Sequence, residues 1–113
     1  MNKIETTAET LLHDIGAFYQ PHRHHFMVMN AVEVGPQLEV QWFFCDYAPP
    51  CAETVFYMLI DPATEVPSIR GIVASAWVAE AELVDLMNIR IEGTKKGFVL
   101  EPDFNGSPLR KGE

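Results

Sequence analysis

The sequence has few basic residues, few cysteines and no long apolar run. Eight Lys and Arg stand against 16 Asp and Glu, which gives a formal net charge of -8. Tight binding to a phosphate backbone depends on clustered basic residues, so nucleic acid is not an expected partner. The two cysteines, Cys45 and Cys51, fit no close metal-binding or redox spacing. They are predicted to be structural thiols, with a reactive or partner-facing thiol as the alternative.

Sequence motifs for nucleotide binding or hydrolysis are also lacking. The seven glycines are scattered and form no phosphate-binding loop or dinucleotide fingerprint between a strand and a helix. No serine lies in a nucleophile elbow of the hydrolase type. The sequence therefore predicts no active site in this chain alone.

Membrane insertion and export are not expected. The longest apolar stretches, residues 55–60 and 71–79, fall short of the roughly 20 residues that cross a bilayer. Residues 1–12 carry acidic and hydroxyl side chains where a signal peptide has an apolar block. We expect the chain to stay in the cytoplasm.

The order of apolar residues predicts two helices and at least three strands. Offsets of three and four favour an amphipathic helix over residues 4–18, with Thr6 or Thr7 as its cap. A hairpin is predicted from His24, broken at Gly35 and Pro36. The remaining predicted elements are a strand over residues 54–60, a connector over 63–70, a second helix over 71–88 and a strand or extended arm at 97–100.

This order predicts an α+β fold in two layers. We expect two helices against one face of a mostly antiparallel or mixed sheet of three to five strands, followed by an extended C-terminal arm. With 113 residues and 48% apolar content, the chain matches the usual size of one domain. The prediction is a single domain over residues 1–113, in which residues 101–113 form the arm.

Three histidines are the weak candidates for metal ligands. His22 and His24 would share one face of a strand, and His25 follows directly. No acidic or cysteine residue stands at a convincing ligand spacing, so an ordinary surface cluster is the favoured interpretation. A free-standing metal or small-ligand binder that uses these histidines is the alternative.

The second predicted helix carries three carboxylates, Glu80, Glu82 and Asp85. Composition allows a solvated acidic face, a docking face for basic residues of a partner, or a catalytic carboxylate group. The segment from Pro108 to Lys111 is either a frayed terminus or an arm that becomes ordered on a partner. These alternatives stay open on composition and spacing alone.

The second half resembles the complex I C-subunit family, also described as the respiratory-chain NADH dehydrogenase 30 kDa subunit family. Four segments carry the resemblance in order: VPSI at 66–69, WVAEAELVDL at 77–86, IRIEG at 89–93 and PDFNGSPLRK at 102–111. In that family a Val-Pro-Ser connector leads into an acidic helix, a Phe-Glu-Gly turn follows, and Pro-Leu-Arg-Lys closes the domain. Ala81 replaces the family's arginine between the two glutamates, and Met87 replaces a phenylalanine.

The resemblance implies a subunit that docks and carries no cofactor of its own. The implied docking residues are Ser68, Glu80, Glu82, Asp85, Pro108, Leu109, Arg110 and Lys111. The expected partners are a hydrogenase-type large subunit and small iron-sulfur subunits, which would hold the nickel-iron centre and the iron-sulfur clusters. The family also includes small subunits of energy-converting (Ech-type) membrane-bound hydrogenases, and the short chain resembles their compact subunit, so this parent complex is the expected one. The complex I parent is the alternative, and either assembly would hold the chain at the inner face of the membrane.

Overall fold

The fold is built around a long β-hairpin whose turn the sequence marks clearly. A computed structural model describes residues 2–87 and 89–93. The elements in chain order are β1 (Asn2–Glu5), α1 (Leu11–Phe18), β2 (His24–Val34), β3 (Gln37–Asp46), β4 (Glu53–Ile60), β5 (Glu65–Val66), α2 (Ala76–Met87) and β6 (Arg90–Ile91). The main sheet has the order β1-β4-β3-β2, with antiparallel pairing of β2, β3 and β4 and a parallel β1.

The predicted hairpin and third strand are confirmed. Along β3, Leu38, Val40, Trp42 and Phe44 are at most 1% exposed, while the residues between them are half-buried. This period of two is the signature of a strand with one covered face. Gly35 has a φ of 59° at the turn, a left-handed conformation that glycine adopts without steric cost.

The predicted helix over residues 4–18 is wrong in its first half. Asn2–Glu5 forms β1 instead and pairs with β4, and the Thr6 N–H continues the pairing by donating to the Tyr57 carbonyl at 2.8 Å. The strand satisfies backbone groups along the open edge of β4, which a short helix there would leave unpaired. The helix begins only at Leu11. Of the two predicted caps, Thr7 does cap the turn that leads into it, because its hydroxyl accepts from the Thr10 N–H at 3.2 Å. The Thr6 hydroxyl instead donates to Asp14 Oδ2 at 2.7 Å.

The second helix is shorter than the predicted range of 71–88. It begins at Ala76, because the Ile69 carbonyl accepts hydrogen bonds from the Ile72 and Val73 N–H groups and closes a turn before the helix. The predicted connector over residues 63–70 contains the two-residue strand β5, which pairs in parallel with β6. These short strands bring residues 65–66 and 90–91 together beside α2.

One core joins both helices to one face of the sheet, as predicted. The buried cluster contains residues from α1, α2 and the same face of β2, β3 and β4, with Trp42, Phe44 and Phe56 as its largest members. Among the described residues no helix covers the opposite face, which we call the open face. The predicted strand or arm at 97–100 and the arm at 101–113 lie outside the described residues.

Candidate docking site around the second helix

Glu80, one of the predicted docking residues, lies inside the protein. Its side chain is 0% exposed, and both carboxylate oxygens accept hydrogen bonds from the connector before the helix. The Ser68 hydroxyl donates to Oε1 at 2.8 Å, and the Ile69 N–H donates to Oε2 at 2.8 Å. Hydrogen bonds to an ionised acceptor are among the stronger ones in proteins. Glu80 therefore fixes the connector to α2.

Arg70 extends this contact to the turn after β6. Its Nε lies 3.7 Å from Glu80 Oε1, and its guanidinium donates to the carbonyls of Glu92 at 3.1 Å and Gly93 at 3.3 Å. Gly93 has a φ of 72°, and a Cβ at this position would collide with Arg70 Nη2. We call Ser68, Ile69, Arg70, Glu80 and the 92–93 carbonyls the Glu80 clamp. The clamp therefore joins three segments: the connector, α2 and the turn after β6.

The three helix carboxylates do not form one solvated face. Asp85 is also 0% exposed, and only Glu82 projects from α2 into solvent. Ser68 is half-buried beside Glu80. Direct docking by these residues stays a prediction, and so does docking by Pro108, Leu109, Arg110 and Lys111, which lie outside the described residues.

The sequence-based reasoning missed Arg70 and Gly93 as parts of this site. A signal for Arg70 was present, because it is a cation two residues after the connector serine and precedes a helix rich in carboxylates. A signal for Glu80 was present too, since it lies four residues after Ala76 and three before Leu83, on the apolar stripe of α2. That position points the carboxylate inward.

The three candidate histidines have different environments. His22 and His25 are exposed, whereas His24 is 5% exposed and stacks on Phe18 with ring centroids 4.2 Å apart. The Gln20 N–H donates to His24 Nδ1 at 3.0 Å, and Nε2 lies 3.5 Å from Asp46 Oδ1. Because Nδ1 accepts, the ring is bound in its neutral form with the proton on Nε2. His24 therefore connects α1 to the ends of β2 and β3.

The environment of His24 predicts that the protein loses stability as the pH falls below 6.5. Burial lowers the pKa of His24 from its ordinary value of 6.5, and the charges of Arg23 and His22 lower it further, against the opposing effect of Asp46. The unfolded chain then binds the extra proton more readily than the folded chain does. Stability from this group is fully present above pH 6.5 and is lost as the pH falls through the folded-state pKa.

Urea unfolding between pH 7.5 and pH 5.5 measures this effect. The wild-type midpoint should fall over that range, and His24→Gln should flatten the dependence because its amide does not titrate. His25→Gln is the matched control, since the neighbouring ring is exposed, and it should leave the wild-type slope in place. Equal slopes for wild type and His24→Gln would contradict the assignment.

The two cysteines are free, and one differs from the prediction. Cys45 is half-buried, but Cys51 is exposed and has a φ of 59° in the bend after Pro50. A buried structural role is therefore wrong for Cys51, because the loop between β3 and β4 turns its side chain outward. Its thiol lies 4.0 Å from the Tyr47 carbonyl.

The described part of the chain has neither a three-ligand metal cluster nor a membrane-spanning helix. Within residues 2–87 and 89–93, no three His, Cys, Asp or Glu side chains come together in a way that could hold a metal ion. In the same part of the chain, neither helix has the length and apolar character needed to span a bilayer.

Comparison with known proteins gives one family for nearly the whole chain. The family described as the respiratory-chain NADH dehydrogenase 30 kDa subunit matches residues 3–113. No curated protein matches the chain. The matched range contains the Glu80 clamp and both layers of the fold, so it confirms the resemblance and extends it to the first half. The chain belongs to the respiratory-chain NADH dehydrogenase 30 kDa subunit family.

Proposed function

We propose that the chain is a non-catalytic accessory subunit of a membrane-bound energy-converting nickel-iron hydrogenase, in which it docks the large subunit. The family match over residues 3–113 is the observation that carries this proposal, because the family consists of subunits of complex I-type assemblies. Nickel, iron and iron-sulfur clusters would belong to the partner subunits. The chain would lie at the inner face of the membrane through these partners.

The geometry of the Glu80 clamp supports a structural role for the acidic helix. A general acid or base needs an oxygen that reaches a substrate. Both oxygens of Glu80 instead accept hydrogen bonds from Ser68 and Ile69, at full burial. The carboxylate holds the connector and the 92–93 turn in a fixed arrangement on α2. A fixed surface is what a docking subunit requires, since ordering loops on binding costs affinity.

Two core positions favour the hydrogenase over complex I. Ala81 is 2% exposed where the complex I pattern has an arginine, and Met87 is 6% exposed where that pattern has a phenylalanine. Both positions are packed in this chain, so its second helix departs from the complex I pattern on the side that faces the core. Complex I is the second candidate, because the matched family is described as a subunit of the respiratory-chain NADH dehydrogenase.

Affinity purification from solubilised membranes of the native host tests the proposal. The chain would carry a tag without histidine, and the co-purifying proteins would be identified by mass spectrometry with nickel measured in the eluate. We expect a nickel-iron large subunit and small iron-sulfur proteins. Flavin-bearing NADH-oxidising subunits would move the assignment to complex I. Recovery of the tagged chain with no protein beyond those found in an untagged control would overturn the docking role.

A further inference from the structure

The strongest unassigned feature is a groove between the edge strand β2 and helix α2. We call it the β2–α2 groove; it is lined by residues 25–28 and by Ser75, Val78, Ala79 and Glu82. Its volume is about 340 Å³. Three of its apolar side chains are unusually exposed, with Met27 and Val28 at 46% and Val78 at 45%. Apolar side chains clustered with this exposure mark interaction surfaces.

From this geometry we infer that the β2–α2 groove binds an extended, basic and apolar segment of a partner subunit as an added strand. The inference rests on the proposed function, since it names the surface through which the subunit docks. It adds the conformation of the bound segment and the sign of its charge.

The extended conformation follows from the position of β2 in the sheet. Among the described residues β2 pairs only with β3 and is the last strand of the order β1-β4-β3-β2. About half of the N–H and C=O groups of an edge strand point away from its neighbour. The His24 N–H already donates to the Gln20 carbonyl, so the row of groups over residues 25–34 is the template for one more strand. The register shift between Phe26 and Val28 turns Met27 toward the groove side.

The charge of the partner segment follows from Glu82. Its exposed carboxylate borders a surface that is mostly apolar apart from His25 and Ser75, and none of the ion pairs within residues 2–87 and 89–93 uses it. A carboxylate beside a desolvated interface favours a basic partner residue, because burial without an opposite charge is costly. A second copy of this chain, with its own net charge of -8, fits this surface poorly.

Charged substitutions in the groove test the inference in the intact complex. We expect Val78→Asp and Glu82→Lys each to reduce the partner recovered with the tagged chain by about tenfold or more. Leu12→Asp is the matched control, because Leu12 is 44% exposed in the first turn of α1 just as Val78 is in the first turn of α2. The control should recover the partner at the wild-type level.

Hydrogen exchange in the full chain, alone and in the complex, tests the strand geometry. The outward amides of β2 should exchange more slowly in the complex, while amides of α1 should not change. If both groove variants recover the partner at the wild-type level, or if the β2 amides exchange at the same rate in the complex, the groove is not the docking surface. The proposed function would then still stand. A wild-type chain that purifies without partners would overturn both. If the chain forms a dimer that Val78→Asp dissociates, the groove binds a second copy of the chain and not a strand of a partner subunit.

Discussion

Glu80→Ala is expected to lower the free energy of unfolding by about 2–4 kcal/mol, because it leaves the buried Ile69 N–H without an acceptor. The Ser68 hydroxyl loses its acceptor in the same step. Arg70 adds little, since its side chain is 37% exposed and water screens its charge. Small domains have about 5–15 kcal/mol of stability in total, so this loss is a large fraction. Urea unfolding followed by tryptophan fluorescence measures it.

Two further variants distinguish the stability lost with the hydrogen bonds of Glu80 from the loss that any substitution on α2 would cause. Glu80→Gln can keep both hydrogen bonds, with its carbonyl accepting from Ile69 and its amide donating to the Ser68 oxygen, so a loss of about 1 kcal/mol is expected. Glu82→Ala changes an exposed residue two positions away and should shift stability by no more than about 0.5 kcal/mol. Equal losses for Glu80→Ala and Glu82→Ala would show that the clamp does not contribute to stability.

The clamp also shows what sequence reasoning could and could not reach. The sequence identifies both Ser68 and Glu80, but as surface residues that meet a partner. Carboxylates are almost never fully buried unless they are paired, so exposure was the reasonable expectation. The donors that make burial possible lie 11 and 12 residues earlier in the chain and meet Glu80 only after the turn at Ile69 forms. Spacing within the helix does not contain that information.

The strands were predictable where the pattern was long, and not where pairing was distant. β3 alternates over ten residues and has a clear turn before it, so its buried face could be identified in advance. β1 has four residues, all exposed, and exists because β4 lies about 50 residues later in the chain. Ile4 fits a helical offset as well as a strand. Whether such a short segment forms a helix or a strand depends on the distant strand with which it pairs, and that strand is brought close only by the tertiary structure.

Phe44→Ala is expected to give the largest loss of stability in the chain, about 3–5 kcal/mol. The Phe44 side chain is 0% exposed and contacts four other rings, with centroid distances of 5.3 Å to Phe26, 5.6 Å to Phe18, 5.8 Å to Tyr19 and 6.0 Å to Phe56. Phe18 is the last residue of α1 and Tyr19 follows it, while Phe26 belongs to β2 and Phe56 to β4. Truncation would therefore leave a cavity where the two layers meet, which urea unfolding would report as a lower midpoint.

Phe43→Ala is the matched control, because the adjacent side chain of the same strand points to the open face and is half-buried. The same number of atoms is removed, but water already reaches part of the site, so a loss of about 1 kcal/mol is expected. The difference between the two losses of unfolding free energy measures how much more the covered face of β3 contributes to stability than the open face does. Equal losses would mean that the open face is covered in the isolated chain, by residues beyond the described range or by a second copy. Sedimentation of the wild type would then separate these two cases, since only the second doubles the mass.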